Sequence, residues 1–263
     1  MRNAHEIDYK IFGDDMQLVE IELDTQESVI AEAGAMTYME EGIEVKTIFG
    51  DGSEQDKSLM GMLVGAGKRL VTGESLFMTV FTHLGQGKSR VSFSAPYPGK
   101  IIPMDLSEYN GKIICQKDSF LCAAKGVSIG IAMTKRLGAG FFGGEGFILQ
   151  KLEGDGLVFV HAGGTIVEKE LKPGELLRVD TGCLVAMTQD VDYDIQMVKG
   201  IKSMIFGGEG LFYAALRGPG KVWLQSLPLS RLANRIYMAS TQAGGQSVDQ
   251  GSILGGLGNL FQE

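Results

Sequence analysis

The chain is poor in the residues that chemistry most often needs. Its 263 residues include three histidines and three cysteines. His5, His83 and His161 never fall at the spacing of metal ligands, so no metal site and no cofactor is expected. Cys115, Cys122 and Cys183 are odd in number and contain no Cys-x-x-Cys pair, which argues against a disulfide framework. Cys115 and Cys122 stand in apolar, strand-like runs, where cysteine packs as a small hydrophobe. A reducing, cytoplasmic compartment is the expectation. No local signature couples a cysteine to a histidine as nucleophile and base, and a non-enzymatic protein is expected.

Other shortages exclude other classes. No stretch approaches the ~18 uninterrupted apolar residues that a spanning helix needs. Residues 1–8, MRNAHEID, lack the apolar core of a secretion signal. Only six prolines are present, too few for a Pro-rich disordered chain. Acidic residues outnumber basic ones by 32 to 24, and the net charge of −8 disfavours phosphate backbones and anionic membranes. One tryptophan, with no interleaving of aromatic and basic residues, offers no stacking platform for single strands. Gly61 to Lys68 suggests a phosphate loop, but five residues separate Gly61 from Gly67, and Arg69 stands where the metal-binding hydroxyl belongs.

What the chain has in excess is glycine, 38 residues, about twice the ~7% of ordinary proteins. The glycines fall between short apolar runs, the pattern of tight turns between strands. Residues 17–23 and 90–94 alternate polar and apolar, as half-buried strands do. The runs 157–160 and 222–224 follow glycines, and 190–195 alternates again. Strands at 8–12-residue spacing indicate an all-β fold. One helix is expected at 228–238, with Ser230 as cap and Leu232, Ile236 and Tyr237 on one face.

A motif is also written more than once. Phe142-Gly143-Gly144-Glu145-Gly146 returns as Phe206-Gly207-Gly208-Glu209-Gly210, with a looser copy at Gly73-Glu74-Ser75-Leu76-Phe77. An acidic residue followed by leucine recurs at Glu22-Leu23, Asp105-Leu106 and Glu170-Leu171. Small residues follow each leucine by 11, 13 and 11 positions, at Gly34, Ser119 and Gly182. Self-similarity of this kind marks repeated supersecondary units. The expected division is a first β repeat over 1–106 with a loop insertion at about 49–66, a second over 107–171, and a third over 172–238 ending in the helix. A Gly-rich tail follows at 239–263.

Two groups of residues stand out as candidate contacts. Glu74, Glu145 and Glu209 recur at equivalent places and either bind a cation or basic partner or accept amide hydrogen bonds in their own turns. Leu59, Met60, Met62 and Leu63 make an adaptable apolar run inside the insertion.

The glycine–glutamate copies, the Gly34-Ala35-Met36 run and the Leu227-Pro228-Leu229 close resemble a family of conserved bacterial proteins of unknown function. Its fungal relatives are named for altered inheritance of mitochondria and associate with the inner membrane. The resemblance spans roughly residues 8–238. It implies a fold like the tryptophan RNA-binding attenuator protein: three short double-stranded β-helix units per chain, with homotrimers closing a ring of nine. A unit of ~65 residues buries its core poorly alone, and edge-to-edge stacking in closed symmetry covers open strands. The expected role is a ring-forming scaffold for a protein or membrane-associated partner. RNA binding by fold analogy is the alternative, and small-ligand or metal binding in the barrel mouths is the second alternative.

Overall fold

The computed structural model describes residues 3–49, 77–135, 147–197 and 212–242. Nineteen strands and one α-helix are laid out along it. They are β1 (Asp8–Phe12), β2 (Leu18–Leu23), β3 (Ser28–Glu32), β4 (Met36–Met39), β5 (Ile43–Phe49), β6 (Phe77–His83) and β7 (Ser89–Ser94). There follow β8 (Gly99–Asp105), β9 (Lys112–Gln116), β10 (Phe120–Ala124), β11 (Ser128–Lys135), β12 (Phe147–Glu153) and β13 (Leu157–Gly163). The last are β14 (Ile166–Leu171), β15 (Leu176–Asp180), β16 (Leu184–Thr188), β17 (Asp192–Met197), β18 (Phe212–Arg217), β19 (Gly220–Gln225) and the helix α1 (Leu229–Gln242). The fold is all-β, with every named ladder antiparallel.

Pairing follows one order. In the run β2 to β7 the first strand pairs with the sixth, the second with the fifth, the third with the sixth and the fourth with the fifth. The runs β8 to β13 and β14 to β19 pair in the same order. The third strand of each run carries a register slip: Met36/Tyr38, Phe120/Cys122 and Leu184/Ala186. Such bulges bend a strand and increase its twist. Two ladders join the runs, β3 to β10 and β9 to β16. These give sheets ordered β5-β6-β3-β10-β13-β8 and β11-β12-β9-β16-β19-β14. Smaller sheets, β1-β2-β7-β4 and β15-β18-β17, stand at the two ends.

Side-chain alternation decides which way each strand faces. On β2, Val19, Ile21 and Leu23 are fully buried, while Glu20 and Glu22 lie toward solvent. Period-two alternation also lets one strand serve two cores. On β9, Ile113 and Cys115 belong to the larger core with Phe93, Phe159 and Trp223, whereas Ile114 packs with Phe147, Leu149 and Leu216 in the second. Ala186 and Met187 of β16 divide in the same way. The leucines of the acidic–leucine marks close β2, sit just after β8 and close β14, and all three are buried. Cys115 and Cys122 are free and fully buried, in keeping with their apolar runs.

The helix differs in detail from its sequence reading. The amides of Arg231 and Leu232 donate to the carbonyl of Pro228, so the helix starts at Leu229, Ser230 lies inside its first turn, and it continues to Gln242. The face holding Ile236 and Tyr237 is open, at 61% and 67% exposure. Among the described residues, no helix is long and apolar enough to cross a membrane.

Candidate functional site

Glu74, Glu145 and Glu209 lie outside the described residues, as do Leu59, Met60, Met62 and Leu63. Two other features come from the ladders and loops that are described: a pair of open strand edges and an acid-rimmed cavity.

The edges are β4 and β15. At both internal junctions the second strand of one run pairs with the third strand of the next, as β3 with β10 and β9 with β16. Among the described residues, β4, a third strand, pairs with β7 alone, and β15, a second strand, pairs with β18 alone. Every residue of β4 is exposed, with Met36, Tyr38 and Met39 each about 40% accessible. An unpaired strand of apolar side chains is a template for another strand. Charge holds β4 to its own sheet. Arg90 on β7 donates to Glu22 and lies 3.7 Å from Glu40, which accepts the Arg90 amide at 2.9 Å. The Tyr38 hydroxyl donates to Glu20. Lys88 reaches Glu22 at 2.6 Å, and the hydrogen bonds from Lys88 and Arg90 hold the Glu22 carboxyl below its ordinary range.

The cavity, of about 250 Å³, opens where the β3–β4 loop, the segment after β7, the β9–β10 turn and the start of α1 converge. Glu32 and Asp118 stand at its mouth, both exposed residues. Crowding by the loops, reinforced by Asp118 and opposed by Lys117, pushes the Glu32 carboxyl up to about 7. Its open side keeps it in contact with water, which screens part of that effect. Tyr97 and His161 line the cavity deeper in and are buried, with their rings edge to face at 4.6 Å. Burial lowers the His161 imidazole to about 4, so it is neutral at physiological pH. It is a strand residue, on β13, as its sequence context predicts. Its Nδ1 is buried with no hydrogen-bond partner.

Its counterpart behaves differently. Counting back four steps from Asp105↔Leu157 reaches Ile101↔His161, and four steps from Glu170↔Lys221 reaches Ile166↔Gln225. Gln225 accepts the Gly163 amide at 2.7 Å and donates to the Gly182 carbonyl at 2.9 Å, so its amide is satisfied at both ends. Sequence reasoning passed over this cavity because Glu32, Tyr97, Asp118 and His161 are spread over 130 residues in no motif.

Neither a metal nor a reactive thiol is suggested by the described residues. No group of three His, Cys, Asp or Glu side chains among them could hold a metal ion. Burial pushes the Cys115 and Cys122 thiols well above their ordinary range, which keeps them protonated and poor as nucleophiles.

Comparison with known proteins adds relatives to this geometry. The family model described as "Mitochondrial biogenesis AIM24" matches residues 9–227. The uncharacterised protein M6_Spy0233 of Streptococcus pyogenes serotype M6 is 32% identical over 222 residues, covering 83% of this chain and 85% of that protein. The X-ray structure of protein SPYM3_0169 from Streptococcus pyogenes superposes with a TM-score of 0.68 at 25% identity, covering 89% of this chain and all of that one.

Proposed function

This chain belongs to the AIM24 mitochondrial-biogenesis family, and from that premise we propose that it is a non-enzymatic scaffold that closes into a homotrimeric ring. The observation that carries the reading is the pair of open edges. β15 is the second strand of the last run and β4 the third strand of the first, the two roles that pair at both internal junctions. Pairing β15 of one copy with β4 of the next would repeat the internal junction between chains. Three chains of three runs would then give nine units. In this reading the unit boundaries fall between β7 and β8 and between β13 and β14, one strand earlier than the boundaries at 106 and 171. The reason is that β8 pairs with β13 and β14 with β19.

The internal registers dictate the external one. Ala31 opposite Cys122 and Cys115 opposite Ala186 correspond to Val179 opposite Tyr38 of the next copy. One step along, Arg178 faces Met39 of the next copy. Ring closure removes two exposed edges and covers the apolar side chains of β4, which is how closed symmetry limits association. The ring would then present its faces to a protein or membrane-associated partner.

Light scattering after size exclusion at two protein concentrations tests the assembly. A trimer mass that does not change on dilution supports it, and a monomer at both concentrations overturns it. The register is tested separately by Met39→Cys/Arg178→Cys in a Cys183→Ser background. A short thiol cross-linker should convert this variant to covalent trimers, and the single variants should remain uncross-linked.

A further inference from the structure

We propose that the face of the β1-β2-β7-β4 sheet that carries Glu20, Ser92 and Tyr38 docks on the last run of a second copy of this chain, with the Tyr38 ring as its anchor. The inference rests on the ring reading above and goes beyond it. Strand pairing sets the register, whereas this contact is made by side chains across a sheet face.

The first argument is an aromatic that changes strand. In each run the third strand pairs with the sixth, and one pair stands at the same step after each slip: Tyr38 opposite Ser92, Cys122 opposite Phe159 and Ala186 opposite Trp223. Residues directly opposite one another share a face of the sheet. In the second and third runs the ring is on the sixth strand and the residue facing it is small. In the first run the order is reversed. Ser92 is nonetheless fully buried. Glu20 lies opposite Ser92 on its other side, and the Tyr38 hydroxyl donates to the Glu20 carboxylate. The Tyr38 side chain therefore leans across Ser92, over the place that Phe159 and Trp223 hold in their runs.

The second argument is what those two rings do. Both are buried, and each meets a tyrosine edge to face from earlier in the chain. Phe159 meets Tyr9 of β1 at 5.0 Å, and Trp223 meets Tyr109, just after β8, at 5.6 Å. Trp223 belongs to the larger core, whereas its strand neighbour Val222 belongs to the second. A ring at this place is thus covered by the run before its own. Tyr38 is 40% exposed, and within one chain no run precedes the first.

The third argument identifies the occupant by continuity with the internal junctions. Their register sets Val179 of the preceding copy opposite Tyr38, as Ala31 stands opposite Cys122 and Cys115 opposite Ala186. Side chains two apart on a strand share a face, so Leu177 lies beside Val179. Val179 is a buried member of the second core, and Leu177 packs against that core half-buried. An aromatic entering from the next copy extends that core as Trp223 extends the larger one. Glu40, which the same register brings to Leu177, has Arg90 at 3.7 Å, so its charge is met within its own chain.

The test is sedimentation of the full chain across a dilution series. The unmodified chain and Tyr38→Phe, which keeps the ring, should both stay trimeric. Tyr38→Ala should raise the concentration at which the trimer dissociates at least about tenfold, as loss of a buried aromatic anchor does. Tyr38→Ala/Ser92→Trp writes the Ala186–Trp223 pair into the first run and should restore the trimer. If the unmodified chain is a trimer and Tyr38→Ala dissociates no more readily, the anchor is overturned and the ring stands. If Tyr38→Ala dissociates and the exchanged pair does not restore the trimer, the placement of the ring over Ser92 is overturned. A monomer at every concentration of the unmodified chain overturns both readings and leaves this face to a different partner. Where Tyr38→Ala does not fold, the exchanged pair decides alone: a stable trimer supports the proposal and dissociation overturns it.

Discussion

At the scale of single residues, two groups whose shifts fall between acid and neutral pH act in opposite directions. His161 is lowered from 6.5 to about 4 by burial. As pH falls below 6.5 the unfolded chain takes up this proton before the folded one, so stability drops until about pH 4 and then levels. Each pH unit of that gap is worth ~1.4 kcal/mol, so the loss approaches about 3 kcal/mol. Glu32, raised to about 7, takes up its proton first in the folded chain, and stability gains as pH falls from 7 toward 4.5. Glu32 is open to water and its effect is the smaller. The expected outcome is that His161→Gln flattens the acid limb of thermal stability between about pH 6.5 and 4, measured by calorimetry across pH. A companion expectation concerns Gln225→Leu, which leaves the Gly163 amide and the Gly182 carbonyl unpaired in a buried place. It should cost about 2–4 kcal/mol in urea unfolding. Little of this was legible in the chain. His161 could be placed on a strand from its neighbours, but an unmet hydrogen bond depends on what faces it, and the facing residues come from other strands. The repeated glutamates were legible as a pattern and lie in segments 50–76, 136–146 and 198–211, outside the described residues.

At the scale of elements, strands were the most readable feature. Residues 17–23 and 90–94 alternate because one face is buried, and they appear as β2 and β7, paired to each other from Leu18↔Ser94 to Leu23↔Ser89. Register was not readable, since the slips at Met36/Tyr38, Phe120/Cys122 and Leu184/Ala186 recur at one place in each run but have no local residue signature. The helix was found, but its cap was misassigned: Pro228 supplies the first carbonyl, which a search for serine caps passes over. The seam between β13 and the segment before α1 gives a sharp expectation. A side chain at Gly163 would collide with the Leu227 carbonyl and press on the Tyr97 ring. The Leu227 contact is with main chain, which leaves little room to yield. Gly163→Ala should cost about 2–3 kcal/mol, read by thermal unfolding, and should also disturb the edge-to-face Tyr97–His161 pair.

At the scale of the whole molecule, the open edges make a prediction about stoichiometry. Met39→Pro removes an outward-facing donor of β4 and Arg178→Pro an outward-facing donor of β15, and proline within a paired strand blocks ladder formation. Each variant alone should sediment as a monomer in the ring reading, while an equal mixture should form dimers and stop there, because one intact edge of each kind remains. Analytical ultracentrifugation of the two variants and their mixture checks this. One further feature governs the molecule as a whole. The chain's beginning is laid across a neighbouring run: the amides of Asn3 and Ala4 donate to the Asp155 carboxylate at 2.7 and 2.9 Å, the His5 amide donates to the Lys125 carbonyl, and His5 Nδ1 accepts the Ser28 amide. Ala4 is buried, and a side chain at Gly126 or Gly156 would strike it. The stitch is made largely by main-chain atoms at fixed intervals, so it specifies distance more than identity. Position 3 can change its residue freely, position 4 can hold nothing larger than alanine, and adding or removing a single residue between the stitch and Asp8 would throw the first strand out of phase with everything it touches.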